Sequence, residues 1–266
     1  MPKKKSSKKA TIKSVQWYGW SPDIPDFRDF MFSAPEPVLA DLPPIVDLRP
    51  LCPEIYNQGR LGSCTAQSLA AVHQFNQMKQ KAKEIFIPSK LFIYYNERVM
   101  KGTVEIDSGA HLRDGIKSIN ELGVCPETMW PYDIKKFRDK PTKECYDEAS
   151  DHQILGYSRV AQDLNQIKGC LASGFPFVFG FAVYNFFESQ EMAKTGILRM
   201  PTSSERMLGG HAVGCVGYLD DSKQFIIRNS WGSDWGLSGY FLMPYEYLTN
   251  SNLSADLWVV KLVENN

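Results

Sequence analysis

Three short segments hold residue types that could act together in covalent chemistry. The first is Gln58-Gly-Arg-Leu-Gly-Ser-Cys64-Thr-Ala. Glycines at 59 and 62 bend the chain, Ser63 is expected to be an N-cap, and Cys64 to about Lys79 holds no Gly or Pro. The cysteine therefore falls on the first turn of a helix. A thiol there faces unsatisfied backbone N–H groups and the positive end of the helix dipole, both of which favour the thiolate. On this segment alone a buried, inert thiol explains the residues equally well, because free cysteine is among the most buried residue types. The second segment, Gly209-Gly-His211-Ala-Val-Gly-Cys-Val-Gly-Tyr, puts a histidine at the head of an apolar strand, 147 residues after Cys64. Its glycines allow close approach of another chain. The third, Arg228-Asn229-Ser-Trp231-Gly-Ser-Asp-Trp235-Gly, leaves the next strand through a Gly-rich turn, with Asn229 placed 18 residues beyond His211. A lone histidine on an apolar strand is usually a core residue, and Asn-Ser-Trp-Gly alone could be only a turn. The three together are hard to explain by such separate, structural roles.

The elements that must position these residues differ between the two halves of the chain. Besides the helix from Cys64, helical stretches are expected over about 88–99 and 112–121, the latter ended by Gly123. After Ile154 the pattern becomes short β-branched or aromatic runs, such as Phe177-Val-Phe, Gln224-Phe-Ile-Ile-Arg and Leu257-Trp-Val-Val-Lys, separated by Gly, Pro, Asn and Asp. A helical first half and a strand-rich second half predict an α+β protein in two lobes, with no internal repeat. Ahead of them, Trp17, Tyr18, Trp20, Phe27, Phe30 and Phe32 crowd into 16 positions, and six of the 16 prolines fall between 22 and 44. Such a stretch is too apolar to float in water and too proline-rich for a long helix. It is expected to lie extended across the body with its rings in a groove.

Composition bounds the possibilities. The 266 residues carry no formal net charge and are 43% hydrophobic, which excludes a disordered or collagen-like chain. Residues 1–13 hold six lysines and no acid, so the remainder has 24 basic and 30 acidic residues. Lys3, Lys4, Lys5, Lys8 and Lys9 read as a solvated tail with at most weak polyanion binding; the balance of the rest argues against nucleic acid as a partner. The longest near-apolar run, Phe175–Phe187, has 13 residues and contains Pro176, Gly180 and Asn185. A spanning helix needs ~20 apolar residues, so this run reads as a buried strand and no membrane partner is expected. No apolar segment follows the basic N-terminus, so an intracellular, cytoplasmic protein is expected. The six cysteines (52, 64, 125, 145, 170, 215) are never closer than 12 residues and the histidines number four (73, 111, 152, 211), so mostly reduced thiols and no zinc site are expected.

With those residues in view, the sequence resembles the papain-like cysteine peptidases, the family that includes the cathepsins. The likeness runs from about Pro43 to the C-terminus in the order Cys, His, Asn, with the same interval of six between Gln58 and Cys64. Gly-Gly-His-Ala-Val resembles the cathepsin B branch and bacterial-type members. Pro22-Asp-Ile-Pro-Asp-Phe-Arg-Asp is similar to the non-secreted, xylellain-like group, whose short N-terminal extension lies over the substrate groove. The resemblance implies a helical lobe over about 45–155 and a β-barrel-like lobe over about 156–266 with the cleft between them. Ahead of these come a disordered tail over 1–16 and a propeptide-like segment over 17–44. It implies a cysteine endopeptidase acting on polypeptides through a thiolate–imidazolium pair and an acyl-enzyme, without metal or organic cofactor, as a monomer. It is held latent, on this reading, by its own N-terminal segment acting as an intramolecular inhibitor.

Carried over by that resemblance, Cys64 is the nucleophile and His211 its base and acid, while Asn229 orients the ring. The Gln58 side-chain amide and the Cys64 N–H form the oxyanion hole, and Trp231 shields the His–Asn bond. Gly109 pairs with the substrate backbone, and Gly180 and Gly210 lie by the pocket for the second residue upstream of the cut. The sequence departs from the family at Leu61, where another Cys is common, and at Thr65, where Trp is common. The disulfide usual from the Leu61 position cannot form. There is no inserted His-His loop, which argues against carboxydipeptidase activity, and no long helical prosegment. Two other functions compete: a different Cys–His–Asn acyl-transfer hydrolase, transglutaminase-like or deconjugating, and a papain-fold binding protein with little catalysis.

Overall fold

The computed structural model describes residues 18–264; the basic tail expected over 1–16, and Trp17, lie outside the described residues. The chain enters as an extended strap that ends in strand β1 (Met31–Phe32) and helix α1 (Glu36–Ala40), and reaches the body at strand β2 (Ile45–Asp47).

Helix α2 (Cys64–Gln80) is buried on all sides over its first fourteen residues, Cys64 through Gln77. Polar side chains survive there because they are bonded: Thr65 Oγ1 donates to Glu97 Oε2 (2.7 Å), and Asn76 Nδ2 donates to the Val72 and Val260 carbonyls (2.8 and 3.1 Å). Ser63 stands at the N-cap position, but its hydroxyl pairs with that of Tyr132 (2.5 Å) and caps nothing. Helices α3 (Lys90–Lys101) and α4 (Leu112–Leu122) pack beside α2; Ser89 Oγ caps α3 through Phe92 N–H (3.1 Å), and α4 ends at Gly123. Four shorter helices have no counterpart in the sequence reading: α5 (Lys143–Ala149), α6 (Leu164–Ala172), α7 (Gln190–Thr195) and α8 (Tyr245–Thr249). At five to nine residues they are too short for an apolar period to stand out.

The remaining strands are β3 (Ile154–Val160), β4 (Phe177–Tyr184), β5 (Met207–Leu219), β6 (Gln224–Arg228), β7 (Tyr240–Pro244) and β8 (Ser254–Val263). They form one sheet in the order β1-β3-β8-β4-β5-β6-β7, with β2 added along β5. The barrel-like closure expected of the second lobe is absent: the sheet is open. The free side of β7 is taken instead by Gly196–Leu198, where Leu242 N donates to Gly196 O (2.7 Å) and Leu198 N to Leu242 O (2.9 Å). With that edge filled, β1 stays on β3 at the opposite end.

Alternation along the central strands sorts two cores onto the two faces of the sheet. Phe177, Phe179, Phe181, Leu257 and Val259 face one core, whereas Val178, Trp258 and Val260 face α2–α4 and the other. No helix among the described residues is long and apolar enough to cross a membrane.

Candidate active site

The turn 58–63 delivers Cys64 to the start of α2, and β5 delivers His211 opposite it. Both are fully buried. The Cys64 sulfur lies 3.4 Å from the N–H of Ala212, the residue after His211, so the thiol meets the strand at the histidine. On the far side of the ring, His211 Nε2 is 2.8 Å from Asn229 Oδ1. That oxygen also accepts the Ser230 N–H at 2.8 Å, which fixes the amide with its oxygen toward the ring. Nε2 therefore carries the proton and Nδ1 is left as the free base, with no hydrogen-bond partner among the described residues.

Trp231 lies over this pair with ring centroids 5.1 Å apart and planes at 31°, and Phe181 and Phe187 complete an aromatic wall 5.8 and 6.3 Å from the imidazole. Gln58 is fully buried: its Nε2 donates to Leu61 O (3.0 Å) and its Oε1 accepts from Ser230 Oγ (2.7 Å), tying the turn before Cys64 to the loop after Asn229.

The strap runs through this site. Ala110 N–H donates to Gly19 O (2.7 Å) and Ser21 N–H to Ala110 O (3.1 Å), a parallel pairing, while on the other wall Trp20 N–H donates to Gly210 O (3.1 Å). The pairing is made by Ala110; the N–H of the expected Gly109 goes instead to Tyr94 Oη (3.1 Å). Gly109, at φ +64, is where the Gly19 carbonyl comes closest: a Cβ there would stand 2.0 Å from that oxygen. The indole of Trp20 fills the space between Gly180 and Gly210, where added Cβ atoms would meet ring atoms at 1.9 and 2.5 Å. Tyr18 sits edge-on to His211 at 6.2 Å and donates its hydroxyl to Glu188 (2.5 Å).

Beside the sulfur the strap is held by its backbone, Gly19 O on the Ala110 N–H (2.7 Å) and Trp20 N–H on Gly210 O. Excluding water also sets the protonation states. Burial pushes the Cys64 thiol up to about 11 and draws the His211 imidazole down to about 4, against a smaller opposing effect of the Asn229 bond. Near neutral pH the covered pair is a thiol beside a neutral imidazole.

Two features have no signal in the sequence. Ala110 carries no side-chain mark of a role that belongs to its backbone. Glu97 lies fully buried beneath the helix that begins at Cys64, with Oε2 bonded to Thr65 and Oε1 without a partner among the described residues, and burial raises its carboxyl well above the ordinary range. A charged residue inside a helical pattern looks like a solvated face until its surroundings are known. The other five cysteines are free thiols, as is Cys64.

These features define a papain-like cysteine peptidase, and comparison with known proteins agrees. Residues 42–257 match the family model described as papain family cysteine protease, so the chain belongs to that family. It is 48% identical over 231 residues to an uncharacterized peptidase C1-like protein of Acanthamoeba polyphaga mimivirus, covering 84% of this chain and 74% of that one. It is 30% identical over 199 residues to a cathepsin B-like protein of Giardia intestinalis, spanning 71% of this chain and 63% of the other. Among solved structures, xylellain from Xylella fastidiosa superposes with a TM-score of 0.87 at 47% identity, over 96% of this chain and 99% of that one. Procathepsin B from Trypanosoma congolense, at 21% identity, covers 95% and 88% with a TM-score of 0.76, a likeness of fold.

Proposed function

We propose that this cysteine peptidase is an endopeptidase that uses Cys64 as nucleophile and is held latent by residues 18–34 seated in its own groove. When the groove opens, water and substrate dipoles reach the pair, and the Cys64 proton passes to His211 Nδ1. The thiolate adds to a peptide carbonyl carbon, and the oxyanion is received by the Gln58 amide and the Cys64 N–H. His211 Nδ1–H then gives its proton to the leaving nitrogen as the C–N bond breaks, leaving a thioester on Cys64. A water attacks that thioester, returning its proton through His211 to the sulfur. Asn229 holds the ring so that Nδ1 remains the working nitrogen throughout, and Trp231 keeps water from the His–Asn bond. Trp20, between Gly180 and Gly210, stands where the side chain of the second residue upstream of the cut would bind, so the strap is propeptide-like.

The observation that carries the latent form is the strap's reversed course through the groove, parallel to Ala110, with Gly19 O on the Ala110 N–H and the Trp20 indole between Gly180 and Gly210. That reversed placement accounts for an intramolecular peptide that blocks the groove without being cut. Its test uses the full chain. A Cβ on residue 19 would stand 1.7 Å from Gly62 O, so Gly19→Ala cannot keep the strap seated. Intact mass after an epoxide thiol-trapping inhibitor, with Cys64→Ala as blank, should show faster labelling of Gly19→Ala than of the wild type. Equal, rapid labelling of both would demote the strap to a structural tie. No labelling of either would favour a papain-fold binding protein.

A further inference from the structure

Past Trp20 the strap crosses a face of the body that carries two arginines, Arg113 of α4 and Arg159 of β3. Two strap carboxylates meet them. Asp29 Oδ2 accepts from Arg113 Nη2 (2.5 Å) and Arg159 Nε (3.0 Å). Asp23 accepts from Arg159 Nη2 (3.1 Å), Trp258 Nε1 (2.9 Å) and the Arg113 N–H (3.2 Å). The third carboxylate belongs to the body: Asp256 pairs with Arg159 Nη1 (3.2 Å) and accepts from Trp20 Nε1 (3.2 Å) and Asp23 N–H (2.8 Å). Trp258 backs the cluster, its ring 4.3 Å from the Arg159 guanidinium carbon. The remaining strap acid, Asp26, pairs with Arg28 beside it (2.7 Å) and contributes little to the cluster's charge.

When the strap leaves, Asp23 and Asp29 go with it. The groups left facing the vacated space are Arg113, Arg159 and Asp256, with Lys101 (Nζ 3.5 Å from Ser21 Oγ) and His111 (Nδ1 3.0 Å from Ser21 O) along the rim, and Asp114 beside Arg113. The two guanidiniums, 11% and 20% exposed while the strap is seated, then keep one close carboxylate between them, so the uncovered face holds more positive than negative charge and attracts an anion. The place for one is the space that the Asp23 and Asp29 carboxylates occupy while the strap is seated.

We propose that in the opened enzyme Arg113 and Arg159 form a subsite for acidic side chains of the polypeptide substrate, upstream of the residue that takes the Trp20 pocket. This rests on the reading of the strap as a reversed occupant of the substrate groove. The strap then serves as a template: indole in one pocket, carboxylates on the arginine pair beyond it. Planar guanidiniums suit the second role, since each can hold a carboxylate through two parallel N–H donors.

The test uses the full chain carrying Gly19→Ala with Asp23→Asn and Asp29→Asn, which unseats the strap and removes its carboxylates. Three fluorogenic peptides, identical from the pocket residue through the cut, carry Asp-Asp, Asn-Asn or Lys-Lys further upstream. The expected order of kcat/KM is acidic, neutral, basic, with about tenfold between the first two, residing mainly in KM and shrinking at high salt. Adding Arg113→Gln and Arg159→Gln brings that ratio to one, while Arg→Lys at both sites keeps part of it. Equal kcat/KM for the three peptides, or a ratio that survives the Gln variants, would overturn the subsite. Failure of the peptidase reading shows separately as absent epoxide labelling. In that event, anisotropy of the same peptides on the opened triple variant carrying Cys64→Ala as well still decides, with tighter binding of the acidic peptide expected and equal binding contrary.

Discussion

His73 and His211 are both fully buried, and burial draws both imidazoles down to about 4. They differ in what their nitrogens meet. In α2, His73 Nε2 lies 3.2 Å from His152 O and Nδ1 lies 3.1 Å from Gln77 Nε2, so both nitrogens are engaged. His211 is engaged on one side only, by Asn229, and its free Nδ1 is on a ring one residue from the backbone that touches Cys64. Burial and titration alone do not distinguish the two histidines; unspent hydrogen-bonding capacity beside a thiol does, and it marks His211 as the one to test.

Substitutions at the two sites should pull this contrast apart. The largest effect is expected for Cys64→Ala or His211→Ala in an opened Gly19→Ala background, a loss on the order of 10⁴ in kcat on a peptide substrate. His73→Gln in the same background should stay within a few-fold of its parent, and a loss comparable to His211→Ala would erase the distinction. Next is Gln58→Ala, where removing one oxyanion donor should lower kcat by about 10²–10³ with little change in KM. A third, smaller effect concerns the cover over the His211 site. Iodoacetamide should alkylate Cys64 of the wild type appreciably only as pH rises toward about 11, whereas Gly19→Ala, with its groove wet, should react at least about tenfold faster at pH 7. Identical pH profiles would mean that the strap does not control the thiol.

The smallest effect should appear in stability. Both histidines have folded values depressed from 6.5 to about 4, so the unfolded chain binds protons that the folded one refuses. Stability should be complete above pH 6.5 and fall as pH drops toward 4, by roughly 3 kcal/mol for each histidine. Glu97 acts in the opposite sense: its raised carboxyl keeps a proton that the unfolded chain releases, which lowers stability as pH rises above 4.5. Urea melts of His73→Leu should show a flatter acid limb together with a loss of about 1–3 kcal/mol at pH 7, because Gln77 and the His152 carbonyl lose their partner. An unchanged acid limb would show that His73 is not buried neutral.

Much of the catalytic neighbourhood is legible in the sequence. The glycines and the run without Gly or Pro place Cys64 at a helix start, and the apolar strand places His211, because both cues are local. Ser63 shows the limit: its type and position suit a cap, yet its hydroxyl is spent on Tyr132, 69 residues away. The aromatic, proline-rich strap is expected in a groove from solubility alone, and this holds only in part: Trp20 and Phe32 are buried, whereas Phe27 is 100% and Phe30 77% exposed. Its direction is not legible, nor is the choice of Ala110 over Gly109, because backbone pairing leaves no trace in side-chain type. Sheet closure is undecided for a similar reason: β7 could have met β1 or the Gly196–Leu198 segment, and strand-forming residues do not name their neighbours.

By itself, then, the sequence determined which residues are equipped for thiol chemistry, that the long helices precede most of the strands, and that an extended strap comes first. These follow from short-range properties: side-chain chemistry, hydrophobic period and backbone freedom at Gly and Pro. Only the tertiary structure decided that the Gly19 carbonyl meets the Ala110 N–H and that strap aspartates meet Arg113 and Arg159. It also decided that one of two buried histidines keeps a free nitrogen. Each of these depends on groups far apart in the chain, whose encounter is set by how the sheet and α2–α4 pack, and packing is a property of the whole chain.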